Sequence, residues 1–452
     1  MKHHKHIPVI PLFFSVLFLF FSQRYAAQQL HFQSTSHYYP VKWMILQKLE
    51  GAEMFYVMAL DSIPPEGGKF IAGGLPHGEY ALQYDTQHLP GIRFIHTGED
   101  VDIKFNPQNP LQIEVVQSKT NRIYYDYLLH SRQVIRKLID FKREYEKNAD
   151  PGLQTKYLEF KAEYDRHTDS ILKAHQDEML WHFIKARKRV LPDSLKKSRK
   201  EYVDYALQHY FDEIDLNDTV LYHSNVLFDR VQEYLFKIPI HGYGKEKSDA
   251  YIRRLKTVFD RLQYLPTRTS FLKTLLIMFA MEDDRVFDYL KKLYQSLPPG
   301  LNQNEFIEQI SKNRFPVRGR KFDKTYLSNS TGIKFDPDAN YTLIIFYSSD
   351  CPHCRKQIPM VYQMINEKYT GKLQVVAIGL EENPEQWKAF SKPFKNWKNA
   401  YVTGQKNTEM AMKYFVEYTP TYFLVNKNFE ILEKTPETKK IQSILQYFLN
   451  HE

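Results

Sequence analysis

Tyr341-Thr342-Leu343-Ile344-Ile345-Phe346-Tyr347, then Ser348-Ser349-Asp350, then Cys351-Pro352-His353-Cys354: this stretch decides how the C-terminal part of the 452-residue chain is read. The first seven residues are apolar and rich in β-formers without alternation, as in a strand buried on both faces. Arg355 to Tyr369 has helix character, with Ile358, Met360, Val361, Met364 and Ile365 as its apolar face and Pro359 as a kink. A strand, a tight turn, a Cys-x-x-Cys pair and a helix are the setting in which redox motifs operate.

The pair holds the only two cysteines of the chain. A loop this small does little to constrain an unfolded chain, so the spacing points to reactivity rather than stapling. The reactive species is a thiolate, and the unpaired N–H groups and positive dipole end at a helix start favour it. Cys351 is therefore the expected nucleophile, Cys354 one turn on the resolving thiol, and His353 a group that holds the thiolate by charge or hydrogen bond. An inert disulfide is the plain alternative. A zinc half-site lacks its other ligands, because no second cysteine pair or suitably spaced histidine cluster follows. The peroxidatic pattern Pro-x-x-x-Thr-x-x-Cys also fails. Counting back from Cys351 gives Ser348 and Ile344, and from Cys354 gives Cys351 and Tyr347. No metal and no cofactor are called for.

Working outward, Leu373–Leu380 reads as a second core strand and Tyr422–Val425 as a third, with Thr419-Pro420 just before it. Met410–Phe415 reads as a short helix and Ile441–Leu449 as a closing amphipathic one. Phe315 to Asn340, rich in charge and turn residues, reads as a linker. Upstream, residues 121–315 are expected to be α-helical, punctuated by Pro192, Pro239, Pro266 and Pro298-Pro299-Gly300. The segment Leu153 to Val190 reads as one long helical pattern that places His175 and His182 on one face, about 10 Å apart and too far for a shared metal. Residues 28–120 are expected to be a small β-rich sandwich or barrel. Short apolar runs such as Met44-Ile45-Leu46, Phe55–Met58 and Tyr80–Tyr84 alternate there with turn signals including Gly67-Gly68 and Asn109-Pro110. Length alone calls for two or three domains.

Residues 1–27 combine a basic start, an apolar run from Ile7 to Phe21 and small residues at Ala26-Ala27, the order of a cleaved signal peptide, with an uncleaved N-terminal anchor as the alternative. The expected location is the periplasm or cell envelope. The formal charge of +9 then does not imply nucleic acid, and the basic runs Lys185–Arg189 and Lys196–Lys200 read as solvated helix faces.

Residues 316–452 resemble the thioredoxin superfamily, in its exported TlpA/ResA-like branch. The resemblance rests on the Tyr341–Tyr347 strand, Cys351-Pro352-His353-Cys354 with Arg355 after it, Pro359, and Thr419-Pro420 before a Phe-Leu-Val strand. It implies that Pro420 is a cis-proline facing the cysteines, and that Thr419 and Pro352 contact a substrate chain. It also implies protein substrates carrying disulfides or thiols, and a membrane electron donor. Three positions depart from the pattern: Ile345 stands for a buried acid, Gln357 for a glutamate and Asp350 for a tryptophan. Glu381 or Glu382 is a substitute proton acceptor, set against a solvent-facing role for both. The branch implies a reductase, whereas Pro352-His353 resembles oxidants of the DsbA type, so direction stays open. A third reading makes residues 28–315 a partner-recruiting region and the C-terminal domain a redox sensor.

Overall fold

The computed structural model describes residues 28–450 apart from 37–40, 65, 72, 85–90, 313 and 405–408. The export segment read at 1–27 lies outside the described residues.

Eight strands come first: β1 (Gln29–Ser34), β2 (Met44–Glu50), β3 (Glu53–Leu60), β4 (Gly68–Ile71), β5 (Gly78–Gln83), β6 (Ile92–His96), β7 (Val101–Asn106) and β8 (Asn109–Gln117). They form two four-stranded sheets, β4-β1-β7-β8 and β3-β2-β5-β6. Leu30, Phe32, Leu46, Leu82, Phe94 and Ile103 share one core, which makes the unit a sandwich. Gly68 and Asn109, read as turn residues, instead begin strands, because pairing across a sheet overrides local turn preference.

Helices α1 (Lys119–Asn148), α2 (Pro151–Ala174), α3 (Met179–Arg187), α4 (Arg199–His209), α5 (Val226–Gln232), α6 (Gly244–Arg261), α7 (Leu265–Ala280), α8 (Asp284–Gln295) and α9 (Asn304–Lys312) follow. The pattern read as continuous from Leu153 to Val190 is broken: α2 ends at its cap His175, and α3 restarts after Glu178. His175 and His182 therefore share no helix face. His182 pairs with Asp218 at 2.6 Å and His175 with Glu178 at 3.0 Å. The helical region is tied to the sandwich by polar contacts. Asn121 takes the N–H of Ile95 and donates to its carbonyl, both at 2.8 Å. Asp229 receives Arg93 at 2.6 Å and Arg187 at 2.8 Å. Among the described residues no helix is long and apolar enough to cross a membrane.

The C-terminal unit comprises α10 (Lys324–Thr331), β9 (Tyr341–Tyr347), α11 (Pro352–Lys368), β10 (Gln374–Glu381), α12 (Pro384–Ser391), β11 (Lys398–Thr403), α13 (Glu409–Lys413), β12 (Thr421–Asn426), β13 (Ile431–Thr435) and α14 (Thr438–Leu449). The sheet order is β11-β10-β9-β12-β13. β9 runs parallel to β10, with Ile344 opposite Val376, and antiparallel to β12, with Ile344 opposite Phe423. Central placement explains its unbroken apolar sequence. Leu343, Ile345 and Tyr347 meet α11 and α14, while Ile344 and Phe346 meet Phe322, Leu327 and Tyr414 on the other face. Residues 315–340, read as a linker, thus include part of this core, and Arg318 is buried. On α11, Ile358, Val361 and Ile365 are buried, but Met360 points outward and is 59% exposed.

Candidate functional site

The end of β9 delivers the chain into Ser348-Ser349-Asp350, and α11 starts immediately after Cys351. Cys351 is the N-cap residue, and Pro352 takes the first turn, where a missing N–H costs nothing. Both cysteines are free thiols: Cys351 is partly exposed and Cys354 fully buried. Their environments push them apart. Burial by itself would raise the Cys351 pKa, but the backbone N–H groups of Cys354 and His353, together with the Thr419 side chain, outweigh it and leave the thiol below its ordinary value. Burial and the neighbouring Cys351 push Cys354 up to about 12.

Thr419-Pro420 is a cis peptide bond. The Cys351 thiol donates to the Thr419 carbonyl at 3.4 Å, across 68 residues of chain. The structure thus brings together Cys351, Cys354, Thr419 and Pro420. Pro352 and His353 flank them at the exposed helix start, and the backbone N–H of His353 is directed at the Cys351 sulfur.

The two substitute acids separate cleanly. Glu382 is exposed, whereas Glu381, the last residue of β10, is fully buried. Its carboxylate accepts from the Ser349 N–H at 2.7 Å and the Ser349 hydroxyl at 2.6 Å. Burial raises its pKa, opposed by those two bonds and assisted by Asp350. The Ser349 carbonyl in turn accepts from Arg355 Nε at 2.6 Å. Both sides of the loop that presents Cys351 are therefore pinned, by a side chain from the neighbouring strand and by one from α11. Ser349 has no signal in the local pattern, and Arg355 is visible only as the residue that follows the motif. Their partners are set by strand register, which aligns the ends of β9 and β10.

Tyr347 and Trp387 complete the surroundings, the indole N–H donating to the phenol oxygen at 2.8 Å. They close over Gly379, where a methyl group would stand 2.7 Å from Trp387 Nε1 and 2.9 Å from Glu381 Oε1. Gln357, at the position where the resemblance expects a glutamate, accepts from Thr438 Oγ1 at 2.6 Å and joins α11 to α14. A cavity of about 710 Å³ lined by Tyr369, Gln374 and Trp397 opens at the opposite ends of these strands, away from the cysteines.

No curated protein sequence matches the chain. Over about a quarter of its length it is similar to several solved structures. One is a domain described as a "possible thiol-disulfide isomerase" from Cytophaga hutchinsonii, 25% identical over 25% of this chain and 78% of that one, with a TM-score of 0.22. Another is the thioredoxin domain of a thiol-disulfide oxidoreductase from Bacteroides vulgatus, 22% identical over 25% and 83%, with a TM-score of 0.22. A third is a thiol-disulfide oxidoreductase from Bacteroides fragilis, 20% identical over 25% and 82%, with a TM-score of 0.23. A family model described as thioredoxin-like matches residues 338–431, which span β9 to the start of β13. With its five-stranded sheet, its Cys-x-x-Cys pair at a helix start and its cis Thr419-Pro420 bond, the C-terminal domain of this chain has a thioredoxin-like fold.

Proposed function

We propose that the chain is an exported thiol–disulfide oxidoreductase that exchanges disulfides with protein substrates, in the reductase direction. The observation that carries this reading is the asymmetry of the two thiols. One is accessible, at a helix N-cap and depressed in pKa, and the other is buried and pushed up to about 12. That is the division of labour exchange requires. The Cys351 thiolate attacks one sulfur of a client disulfide and expels the other client sulfur as thiolate, forming a mixed disulfide. Cys354 loses its proton and attacks the Cys351 sulfur, which releases the second client thiol. The protein, now a disulfide, has given up two electrons and is reset by a donor in the membrane. Thr419 and Pro352 are the groups that would lie along the client backbone. Glu381 acts through Ser349 as a positioning residue for the Cys351 loop.

A disulfide-donor role is the second reading. It is favoured by the exposed Pro352-His353 dipeptide and by the depressed Cys351 thiol, since a stabilised thiolate makes the reduced form easier to keep. Equilibrating the protein in dithiothreitol or glutathione series decides between them. A potential near or below about −270 mV supports the reductase, and one near about −120 mV the donor.

A further inference from the structure

A cavity of about 280 Å³ opens between the helical region and the thioredoxin-like domain. Phe415, Tyr418, Thr421 and Lys434 form one side. Met281 and Glu282, in the turn between α7 and α8, form the other. Tyr418 immediately precedes Thr419, whose carbonyl meets the Cys351 thiol. One lining residue of the cavity is therefore the chain neighbour of the residue that the reactive sulfur contacts. An extended client chain advances about 3.3 Å per residue, so residues within two positions of a client cysteine are the ones whose side chains are tested for this cavity.

The wall from the helical region is held by a buried ion network. Asp283 caps α8, accepts from Ser248 Oγ at 2.7 Å and pairs with Arg318 at 2.7 Å. Arg318 forks onto the two oxygens of Glu433 at 3.0 and 3.1 Å. Glu282 and Lys434 are the immediate chain neighbours of Asp283 and Glu433, so the network sets the two sides of the cavity against each other.

Its chemistry is an apolar sleeve with an acidic rim. Met281, Phe415 and Tyr418 supply the sleeve, and Glu282 and Glu417 are exposed carboxylates. Two cations face it, and Lys434 shares the field of both Glu282 and Glu417, so that two carboxylates stand against one ammonium there. Lys434 donates to the Tyr414 and Phe415 carbonyls at 3.3 and 2.9 Å, and Arg318 is matched by two carboxylates. The volume lies at the bottom of the range for small-molecule pockets and suits a single long side chain.

We propose that this cavity is a client subsite that receives a lysine or arginine side chain flanking the client's reactive cysteine, with the helical region supplying one wall. The aliphatic stem lies along Met281 and Tyr418, and the cationic tip meets Glu282 and Glu417. The inference rests on the proposed exchange at Cys351.

The test uses the reduced full chain and synthetic peptides whose single cysteine is capped as a disulfide with 5-thio-2-nitrobenzoate. Cys351 attacks the peptide sulfur and expels the coloured thiolate. Cys354 then displaces the peptide thiol, so one protein dithiol reduces one peptide disulfide. Peptides carry Lys, Ala or Glu two positions before or after the cysteine. In at least one placement the Lys peptide should react about fivefold faster than its Glu counterpart, as expected for a screened ion pair. That ratio should collapse toward one in Glu282→Gln/Glu417→Gln and invert in Glu282→Lys/Glu417→Lys. Equal rates for Lys and Glu peptides, or a preference untouched by the Glu282 and Glu417 variants, overturn the subsite and leave exchange at Cys351 standing. Failure of every capped peptide, and of oxidised glutathione, to react with the wild-type dithiol overturns the exchange itself.

Discussion

Replacing Glu381 tests how the Cys351 loop is held. In Glu381→Ala the buried Ser349 N–H and hydroxyl lose acceptors at 2.7 and 2.6 Å. A buried donor left unsatisfied costs about 1–3 kcal/mol, and a hydrogen bond to a charged acceptor contributes about 1.5–3 kcal/mol. Against that stands the relief of removing a buried carboxyl, so the net loss should be about 2–4 kcal/mol. Glu381→Gln keeps an oxygen for the N–H and presents an amide to the hydroxyl oxygen, and should lose about 1 kcal/mol or less. The sign of the pH dependence follows from the raised pKa of Glu381. A group raised in the folded state contributes stability that is present below its unfolded value, near 4.5, and is lost as pH rises through the folded value. The contribution of Glu381 should therefore fall on going upward from pH 4.5, and the difference between wild type and Glu381→Gln should shift against the wild type over that range. Hydrogen exchange followed peptide by peptide across β9, the Ser348–Cys351 loop and β10 reads these free energies locally in the full chain. In the Ala variant the Cys351 thiol should also titrate closer to its ordinary value, as its backbone donors loosen. An Ala variant within about 0.5 kcal/mol of wild type, or a Gln variant as damaged as Ala, would refute the reasoning.

Arg318→Met strands the buried carboxylates of Asp283 and Glu433 without their cation and should cost about 3–5 kcal/mol. Adding Asp283→Asn and Glu433→Gln should recover much of that loss in thermal unfolding, and a triple variant no better than the single one contradicts the account. Iodoacetamide should label Cys351 with a pH midpoint below the ordinary cysteine range, and leave Cys354 unlabelled in the native protein, as peptide mass spectrometry can show. Gly379→Ala places a methyl group 2.5–2.9 Å from Trp387 and Glu381, so it should cost about 1–3 kcal/mol and shift tryptophan fluorescence; an unshifted spectrum at full stability contradicts the packing. Cys354→Ser should accumulate client mixed disulfides on Cys351, which a reducing gel releases, while Cys351→Ser should accumulate none.

The local segments were legible because their signals are short-range. The unbroken apolar run Tyr341–Tyr347 is the mark of a strand covered on both faces, and β9 is central in its sheet. Cys351-Pro352-His353-Cys354 announces a helix start, and α11 begins there. Where reading failed, a distant partner had decided the matter. Gly68 is a strand residue because Phe32 lies opposite it. The continuous periodicity from Leu153 to Val190 conceals the break after Ala174, since amphipathic spacing carries through a turn without interruption. Residues 315–340 look like a linker because their charges are conspicuous. Yet Arg318 is buried by carboxylates 35 and 115 residues away, and Phe322 and Leu327 cover the sheet.

The same division runs through the site. By itself the sequence determined the redox pair, the helix that begins at it and the strand that leads into it, because propensity, spacing and the absence of other cysteines act within about twenty residues. Only the tertiary structure decided what surrounds the sulfurs: the Thr419 carbonyl on Cys351, Glu381 beneath Ser349, and the wall of the helical region beside Tyr418. The physical reason is that a carboxylate's role is set by its burial and partners. Glu381 and Glu382 are adjacent and chemically alike, but Glu381 is the last residue of β10, a strand buried along its whole length, and Glu382 is the first residue beyond it, where the chain enters solvent.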